Sequence, residues 1–350
     1  MMRALIVGTG LIGTSIGLAL RKGGHQVWLQ DAHLQHVERA AALGAGTHGT
    51  PETEPDVVLV AVPPAAVKSV IEDLSKLYVN ATFTDVSSVK TQPVLDVQSI
   101  AGISSRFVGG HPMAGRETTG PDGARADLFE DRLWILTPTA DSDAARLQQI
   151  RELAESCGAV VATMDAAAHD RAVALTSHTP QVLASLMAGL IASAPSNDIQ
   201  LSGQGLRDLT RIAGSNPELW DDILAANADE VDAVLGAFGE RLQTVRSALR
   251  AGASLREMLH AGNAGRDRIP ARHGGVIREE VVIVSVNIDD RPGALARLFA
   301  AAADANISID DVRIDHVLGR EAAIVDLSVR PEQAADLRTV LANGGWQVRS

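Results

Sequence analysis

The chain has 350 residues, 46% of them apolar, and its 31 basic and 43 acidic side chains leave a net charge of −12. That length makes two or three domains, each able to bury a core, and the acidic balance disfavours nucleic acid or an anionic membrane as the main partner, since both demand clustered Lys and Arg. Aromatic residues, at 3%, are too few for base-stacking platforms, and the single Cys157 excludes an intramolecular disulfide or a cysteine-based zinc site.

Residues 1–163 alternate short β-branched runs with helical stretches. Strands are expected at Arg3–Val7, Gln26–Gln30, Val57–Val60, Thr82–Val86, Arg106–Gly109, Leu133–Thr137 and Val160–Thr163. Helices are expected at Leu11–Arg21, His33–Leu43 and Ala65–Leu77. That alternation predicts a mostly parallel sheet with helices on both faces. Residues 164–275 carry no convincing strand and predict an all-helical domain, broken at Pro180, at Ala194–Asn197 and at Gly214–Pro217. Ser215 or Asn216 with Pro217 forms a cap and first-turn pair for a helix to Leu235. A linker rich in Gly and Arg, Gly262–Gly275, follows. Residues 279–350 then read as strand (Val281–Ile288), helix (Pro292–Asn306), strands (Ile307–Asp315 and Ala322–Val329), helix (Pro331–Asn343) and a last short strand (Trp346–Arg349). This is the β-α-β-β-α-β order of a ferredoxin-like unit.

Met1–Val7 reads as a strand without a signal-peptide cleavage site. The longest apolar stretch, Val182–Ala194, is interrupted by Ser185, Gly189 and Ser193 and falls short of the ~20 residues that span a bilayer. The expectation is a soluble cytoplasmic protein.

The first strand runs straight into Gly8-Thr9-Gly10-Leu11-Ile12-Gly13, and a helix follows. A GxGxxG alone is a weak signal. Between strand and helix, with Asp31 ending the second strand, it predicts a dinucleotide site. Gly8 permits the turn, Gly10 lets the backbone approach the pyrophosphate, and Gly13 lets helix pack on strand; the helix N-terminus faces the phosphates. Asp31 suits the adenosine ribose hydroxyls and repels a 2′-phosphate, which favours NAD over NADP. Val62-Pro63 ends the third strand, where the chain passes near the cofactor.

Two segments bring chemistry to the carboxyl ends of the strands, where open parallel sheets bind ligands. Asp85-Val86-Ser87-Ser88-Val89-Lys90 ends the fourth strand and Gly109-Gly110-His111-Pro112-Met113-Ala114-Gly115 the fifth. A hydroxyl and an imidazole there can polarise an alcohol or take its proton. In the helical domain stand His169-Asp170 through His178, and Arg207-Asp208-Leu209-Thr210-Arg211. Arginines four apart share a helix face, either to bind a carboxylate bidentately or as a solvated salt-bridged surface. Nothing in the sequence asks for a metal.

Together these motifs resemble the prephenate dehydrogenase (TyrA) family over residues 1–275, in the family's own order. The resemblance implies oxidative decarboxylation. NAD takes hydride from the ring carbon bearing the hydroxyl, the ring carboxylate leaves as carbon dioxide, and 4-hydroxyphenylpyruvate forms. It implies that His111 accepts a hydrogen bond from the ring hydroxyl, that Ser88 holds that hydroxyl and the nicotinamide, and that Ser87 lies at the cofactor. Arg211 would bind a substrate carboxylate with Arg207 and Asp208 in support, His178 would orient the substrate, and Trp220 would close the pocket. Thr179-Pro180-Gln181 stands where members often carry Leu-Pro-His, so arogenate remains the alternative substrate. Val182–Ala194 would make the homodimer surface.

The tail resembles an ACT regulatory module. Asp290, Pro292, Gly293, Ala294 and Leu295 match its ligand loop, and Asn306 precedes the second strand; the implied effector is tyrosine. Two rivals stand against this reading. A hydroxyacid dehydrogenase of similar architecture would need a lysine in the helical domain, and none follows Lys90. A non-catalytic NAD sensor would have a broken set at Ser88, His111, His178 and Arg211, and all four are present.

Overall fold

Along the first strand, β1 (Arg3–Val7), Ala4 and Ile6 pack into one apolar cluster and Leu5 into another. A strand buried on both faces belongs inside a doubly wound sheet. The structure, a computed structural model, describes residues 1–115, 118–269, 282–289, 291–316 and 322–349. They fall into two compact units, Met1–Arg266 and Asp267–Ser350.

After β1 come α1 (Leu11–Lys22), β2 (Gln26–Gln30), α2 (Leu34–Ala42), β3 (Thr47–His48), β4 (Val57–Val60), α3 (Pro64–Leu77), β5 (Thr82–Asp85), α4 (Thr91–Gln98), β6 (Phe107–Pro112), β7 (Leu133–Thr137), α5 (Ala144–Ser156) and β8 (Val160–Thr163). The sheet order is β3-β2-β1-β4-β5-β6-β7-β8, parallel throughout except where β6 meets β7. Chain direction reverses its progress across the sheet between β1 and β4, the place where such sheets open a crevice. Ile16, Leu20, Leu29, Phe129 and Trp134 fill one side; Val58, Val60, Ile71, Phe83 and Phe107 fill the other. Arg21 and Lys22 end α1, where cations suit the helix dipole. The Asp143 carboxylate caps α5 by accepting the Ala145 and Arg146 amides.

The helical layer continues with α6 (Ala166–Val173), α7 (Thr179–Ala192), α8 (Ser196–Ile199), α9 (Gln204–Thr210), α10 (Pro217–Ala226), α11 (Ala228–Arg250) and α12 (Arg256–Asp267). Three expectations are corrected here. Pro180 does not break the helix: it sits in the first turn of α7, and the preceding turn, Ala174–His178, is widened into a π-helix that joins α6 to α7. A wider turn relieves the clash and the missing N–H that proline brings to a helix. The helix opened by the Asn216 cap ends at Ala226 rather than Leu235, because Asn227 leaves the helical region at φ −124°, ψ 30°. The expected linker is helical as far as Asp267, through Gly262 and Gly265. Among the described residues no helix is long and apolar enough to cross a membrane.

The second unit comprises β9 (Val282–Asp289), α13 (Ala294–Asp304), β10 (Asp311–His316), β11 (Ala322–Val329), α14 (Pro331–Asn343) and β12 (Gln347–Val348). Its antiparallel sheet runs β10-β11-β9-β12. In β9 and β11 alternate residues, Val284, Val286 and Ile288 with Ala323, Val325, Leu327 and Val329, point at Leu298 of α13 and Leu337 and Leu341 of α14. β10 begins at Asp311 rather than Ile307, which is instead buried in that core, and α13 begins at Ala294 rather than Pro292.

Candidate active site

The turn from β1 to α1 is closed by its glycines. Gly8 has φ +98°, and a Cβ on it would stand 2.2 Å from the Ala61 carbonyl oxygen. A Cβ on Gly13 would stand 1.9 Å from the Gly8 carbonyl oxygen. Gly10, the cap of α1, has open space where its Cβ would be. Leu11 and Ile12 form the first turn of α1, and Val62 lies against Gly8 while Pro63 caps α3. Asp31, at the end of β2, is tied to this turn. Its Oδ2 accepts the Thr9 amide at 2.6 Å and the Thr9 hydroxyl at 2.8 Å, and its Oδ1 accepts the His33 amide at 2.8 Å. Burial alone would raise this carboxyl; the His33 and Thr9 hydrogen bonds outweigh it and hold the group below its usual range.

At the ends of β5 and β6 lies a buried ion pair. Lys90 and Asp85 are both fully buried, with the ammonium on Asp85 Oδ2 and donating to the Gly110 carbonyl at 2.6 Å. Asp85 Oδ1 accepts the Gly110 amide at 3.2 Å. Burial lowers the Lys90 pKa, and Asp85 opposes that shift. The two glycines of β6 allow the packing: a Cβ on Gly109 would come 2.5 Å from Thr137 Oγ1, and one on Gly110 2.8 Å from the Asp85 carbonyl oxygen. The strand carries through His111 to Pro112, beyond the Gly109 at which it was expected to end.

From this base rises a chain of hydrogen bonds. Asp170, in α6, accepts the Lys90 amide on Oδ1 at 2.8 Å and the Thr91 amide on Oδ2 at 2.7 Å, capping α4 from another helix. His169 Nδ1 stands 2.8 Å from Asp170 Oδ1, and His169 Nε2 stands 2.9 Å from His111 Nδ1. A carboxylate accepts only, so His169 carries its proton on Nδ1 and offers Nε2 as acceptor. His111 then donates from Nδ1 and keeps a lone pair on Nε2. Burial, helped by His169, Lys90 and His178, pushes the His111 pKa well below 6.5, against Asp170. A neutral acceptor imidazole is the result. Asp170 itself is held low, its hydrogen bonds from His169, Thr91 and Lys90 overcoming burial.

A second imidazole is set from the other side. Asn227 Nδ2 donates to the Asp170 carbonyl at 2.9 Å and lies 3.1 Å from His178 Nδ1. The amide's NH₂ faces both groups, so His178 accepts on Nδ1 and presents Nε2–H as a donor. Burial takes its pKa down to about 4 despite Asp170. Trp220 meets its ring edge-on at 6.0 Å. His178 closes the π-turn, an element that recurs at functional sites.

The remaining expected residues are placed as follows. Ser87 is buried and its hydroxyl has no hydrogen-bond partner among the described residues, whereas Ser88 is half-exposed. Arg207 and Asp208 belong to exposed α9, which ends at Thr210; Arg211 opens a 3-10 turn, so the two arginines straddle a helix end rather than share one regular face. Both segments pack on α7. In the second unit Gly293 caps α13 at φ +84° with Pro292 exposed before it, Ala294 is buried and Leu295 half-buried, and Asn306 is left-handed at φ +55°. Asp290 lies outside the described residues. A pocket of about 810 Å³ is lined there by Asp289, Arg297, Ile324, Trp346 and Arg349 among others. Cys157 is buried, its thiol pushed up to about 12, and it takes no part in this chemistry.

Residues 16–163 match the model of the prephenate dehydrogenase nucleotide-binding domain, and residues 165–261 that of the prephenate dehydrogenase dimerization domain. A probable prephenate dehydrogenase of Streptomyces niveus, NovF, is 35% identical over the whole of both chains. The chain belongs to the prephenate dehydrogenase family. A solved prephenate dehydrogenase of Aquifex aeolicus, in complex with hydroxyphenyl propionate and NAD⁺, is 32% identical with a TM-score of 0.70, over 77% of this chain and 99% of that one. An arogenate dehydrogenase of Synechocystis is 28% identical with a TM-score of 0.66, over 76% of this chain and 99% of that one.

Sequence reasoning gave no role to Lys90, Asp85, His169, Asp170 or Asn227. For His169 and Asp170 the signal was their adjacency within the quoted motif. For Lys90 it was a lysine two residues past a strand-end serine pair in a chain with so few lysines. Asn227 had no signal, since its partners lie 57 and 49 positions away.

Proposed function

We infer that the protein is an NAD-dependent prephenate dehydrogenase, converting prephenate to 4-hydroxyphenylpyruvate and carbon dioxide. The observation that carries this is the Asp170–His169–His111 chain, which leaves a neutral acceptor nitrogen at the carboxyl end of the sheet. The β1–α1 turn fits a dinucleotide: Gly8 and Gly13 bar side chains where strand and helix meet, and the space over Gly10 is open for a pyrophosphate at the helix N-terminus. NAD, when bound, supplies the hydride acceptor.

His111 Nε2 takes the proton of the ring hydroxyl as the bond from that carbon to hydrogen is lost, and returns it to the phenolic oxygen once the carboxylate has departed as carbon dioxide. His169 spreads the charge that develops on His111 toward Asp170. His178 Nε2–H donates to a substrate oxygen, Trp220 shields it, and Ser87 and Ser88 offer hydroxyls beside the nicotinamide. Arg211, supported by Arg207 and Asp208, receives a substrate carboxylate. Asp31, which already accepts from Thr9 and His33, receives the adenosine ribose.

In this reading residues 1–163 bind NAD, 164–275 form a helical substrate and dimerisation domain, and 279–350 form an ACT-like regulatory domain of a cytoplasmic enzyme. Leu186 and Leu190, 61% and 69% exposed on α7, support a homodimer through that helix. The left-handed Gly293 at a helix start, and a pocket pairing Arg297 with Trp346, support an amino-acid effector, tyrosine.

The test is NADH formation by the purified protein offered prephenate or arogenate, each with NAD or NADP, with and without tyrosine. Turnover of prephenate with NAD is expected. Preference for arogenate would keep the chemistry and change the substrate. NAD binding without turnover of either would make the chain a sensor.

A further inference from the structure

Outside the catalytic network, Asp31, His33 and His36 bring three ligand-type atoms within 4.8 Å of one another at the start of α2. We propose that they form a site for a divalent transition-metal ion, zinc above all, whose occupancy excludes the dinucleotide. Four observations carry it. The His33 Nδ1 to Asp31 Oδ1 separation is already 3.4 Å. That is about the edge of a tetrahedron built from Zn–N bonds near 2.0–2.1 Å and Zn–O bonds near 2.0–2.2 Å, roughly 3.4 Å. His33 and His36 ring centroids are 5.2 Å apart at 41°, so a modest turn of the exposed His36 ring brings its nitrogen to the same centre.

The carboxylate is also pre-oriented. Thr9 holds Oδ2 with two hydrogen bonds, which turns Oδ1 toward the histidines as the single ligating oxygen. Finally, the donor set suits the ion. Two neutral imidazoles and one carboxylate, with water completing the sphere, favour zinc over magnesium or calcium, which want oxygen. The Asp31 charge offsets the positive end of α2, which would otherwise repel a cation.

Exclusion of the cofactor rests on reading Asp31 as the ribose acceptor. The same Oδ1 cannot both ligate a cation and receive ribose hydroxyls, so zinc competes with NAD at the adenosine end, remote from the chemistry. At a zinc concentration about ten times its own Kd, the apparent KM for NAD rises about elevenfold with kcat unchanged.

The experiment uses the full chain without an affinity tag. Zinc chloride is titrated calorimetrically into wild type and into the His33→Ala/His36→Ala variant, and cobalt(II) substitution is followed by its visible absorption. One zinc per chain, tetrahedral cobalt bands, and loss of both in a variant that keeps its KM for NAD and its kcat are expected. No saturable site, or zinc binding undiminished in the double variant, overturns the metal site. Zinc bound through the two histidines with KM for NAD unmoved overturns the exclusion, and with it the placing of ribose on Asp31, while the metal site stands.

Discussion

The Nδ1 atom of His111, at the end of a sheet strand, lies 2.9 Å from Nε2 of His169, in a helix of the neighbouring layer, and the two rings meet at 71°. His169 is itself fixed by Asp170, so the lone pair offered to a substrate is assigned by a carboxylate two residues along the relay. His111→Asn should therefore lower kcat by about 10²–10⁴-fold, with little change in the KM for prephenate. Asp170→Asn should lower kcat as well, by allowing the wrong tautomer of His169, and should also lower Tm because one of the two capped amides of α4 loses its acceptor. Steady-state kinetics and thermal unfolding of both variants check this; wild-type kcat in either removes the relay from the mechanism.

The rate should not fall at the pH where an ordinary histidine gains its proton. The acceptor form of His111 is the neutral one, and its pKa sits well below 6.5. Hence kcat stays on its plateau through the ordinary histidine pKa of about 6.5 and declines only at more acid pH, which a kcat profile from about pH 8 down into the acid range reads directly.

Stability should fall on the same side. His178 has a pKa of about 4 in the folded chain against 6.5 in the unfolded one. Between those values the unfolded chain binds a proton that the folded chain refuses, so the contribution is fully present above 6.5 and is lost as pH falls toward 4, amounting to roughly 3 kcal/mol. Urea unfolding at pH 7 and pH 5 should give a larger drop for wild type than for His178→Asn.

Lys90 is the cation on the Asp85 carboxylate, and both side chains are fully enclosed. Lys90→Met leaves that charge unpartnered and should cost about 3–5 kcal/mol in unfolding free energy. Adding Asp85→Asn to it should recover part of the loss. Equal stability of the single and double variants would mean the pair is not coupled.

Gly10 and Gly13 should respond differently to the same methyl group. Gly13→Ala drives a Cβ into the Gly8 carbonyl and should lower both Tm and NAD affinity. Gly10→Ala meets open space in the chain itself, so Tm should hold while the KM for NAD rises. Thermal melts alongside NAD titrations separate the two.

The sheet was legible in the sequence because its strands are short apolar runs with glycine or helix on either side, and Val57–Val60 and Leu133–Thr137 fall where expected. The two-residue β3 was not, being too short to carry a pattern. Helix interruptions misled in both directions. Pro180 looks like a break yet is absorbed by a π-turn, whereas Asn227 looks like ordinary helix yet turns out of it to reach Asp170 and His178. In the site, single motifs showed His111 and His178, but the partners that set their protons come from distant stretches of chain. Local periodicity holds no record of such pairings.

Asp170 does two things with one side chain: it stitches the start of α4 to α6 and it orders the protons of the relay. Motion and protonation are therefore inseparable at this corner. A hinge placed between α4 and α6 would scramble the acceptor nitrogen each time the cleft opened. For the acceptor nitrogen to keep its assignment, this corner has to stay closed through every turnover.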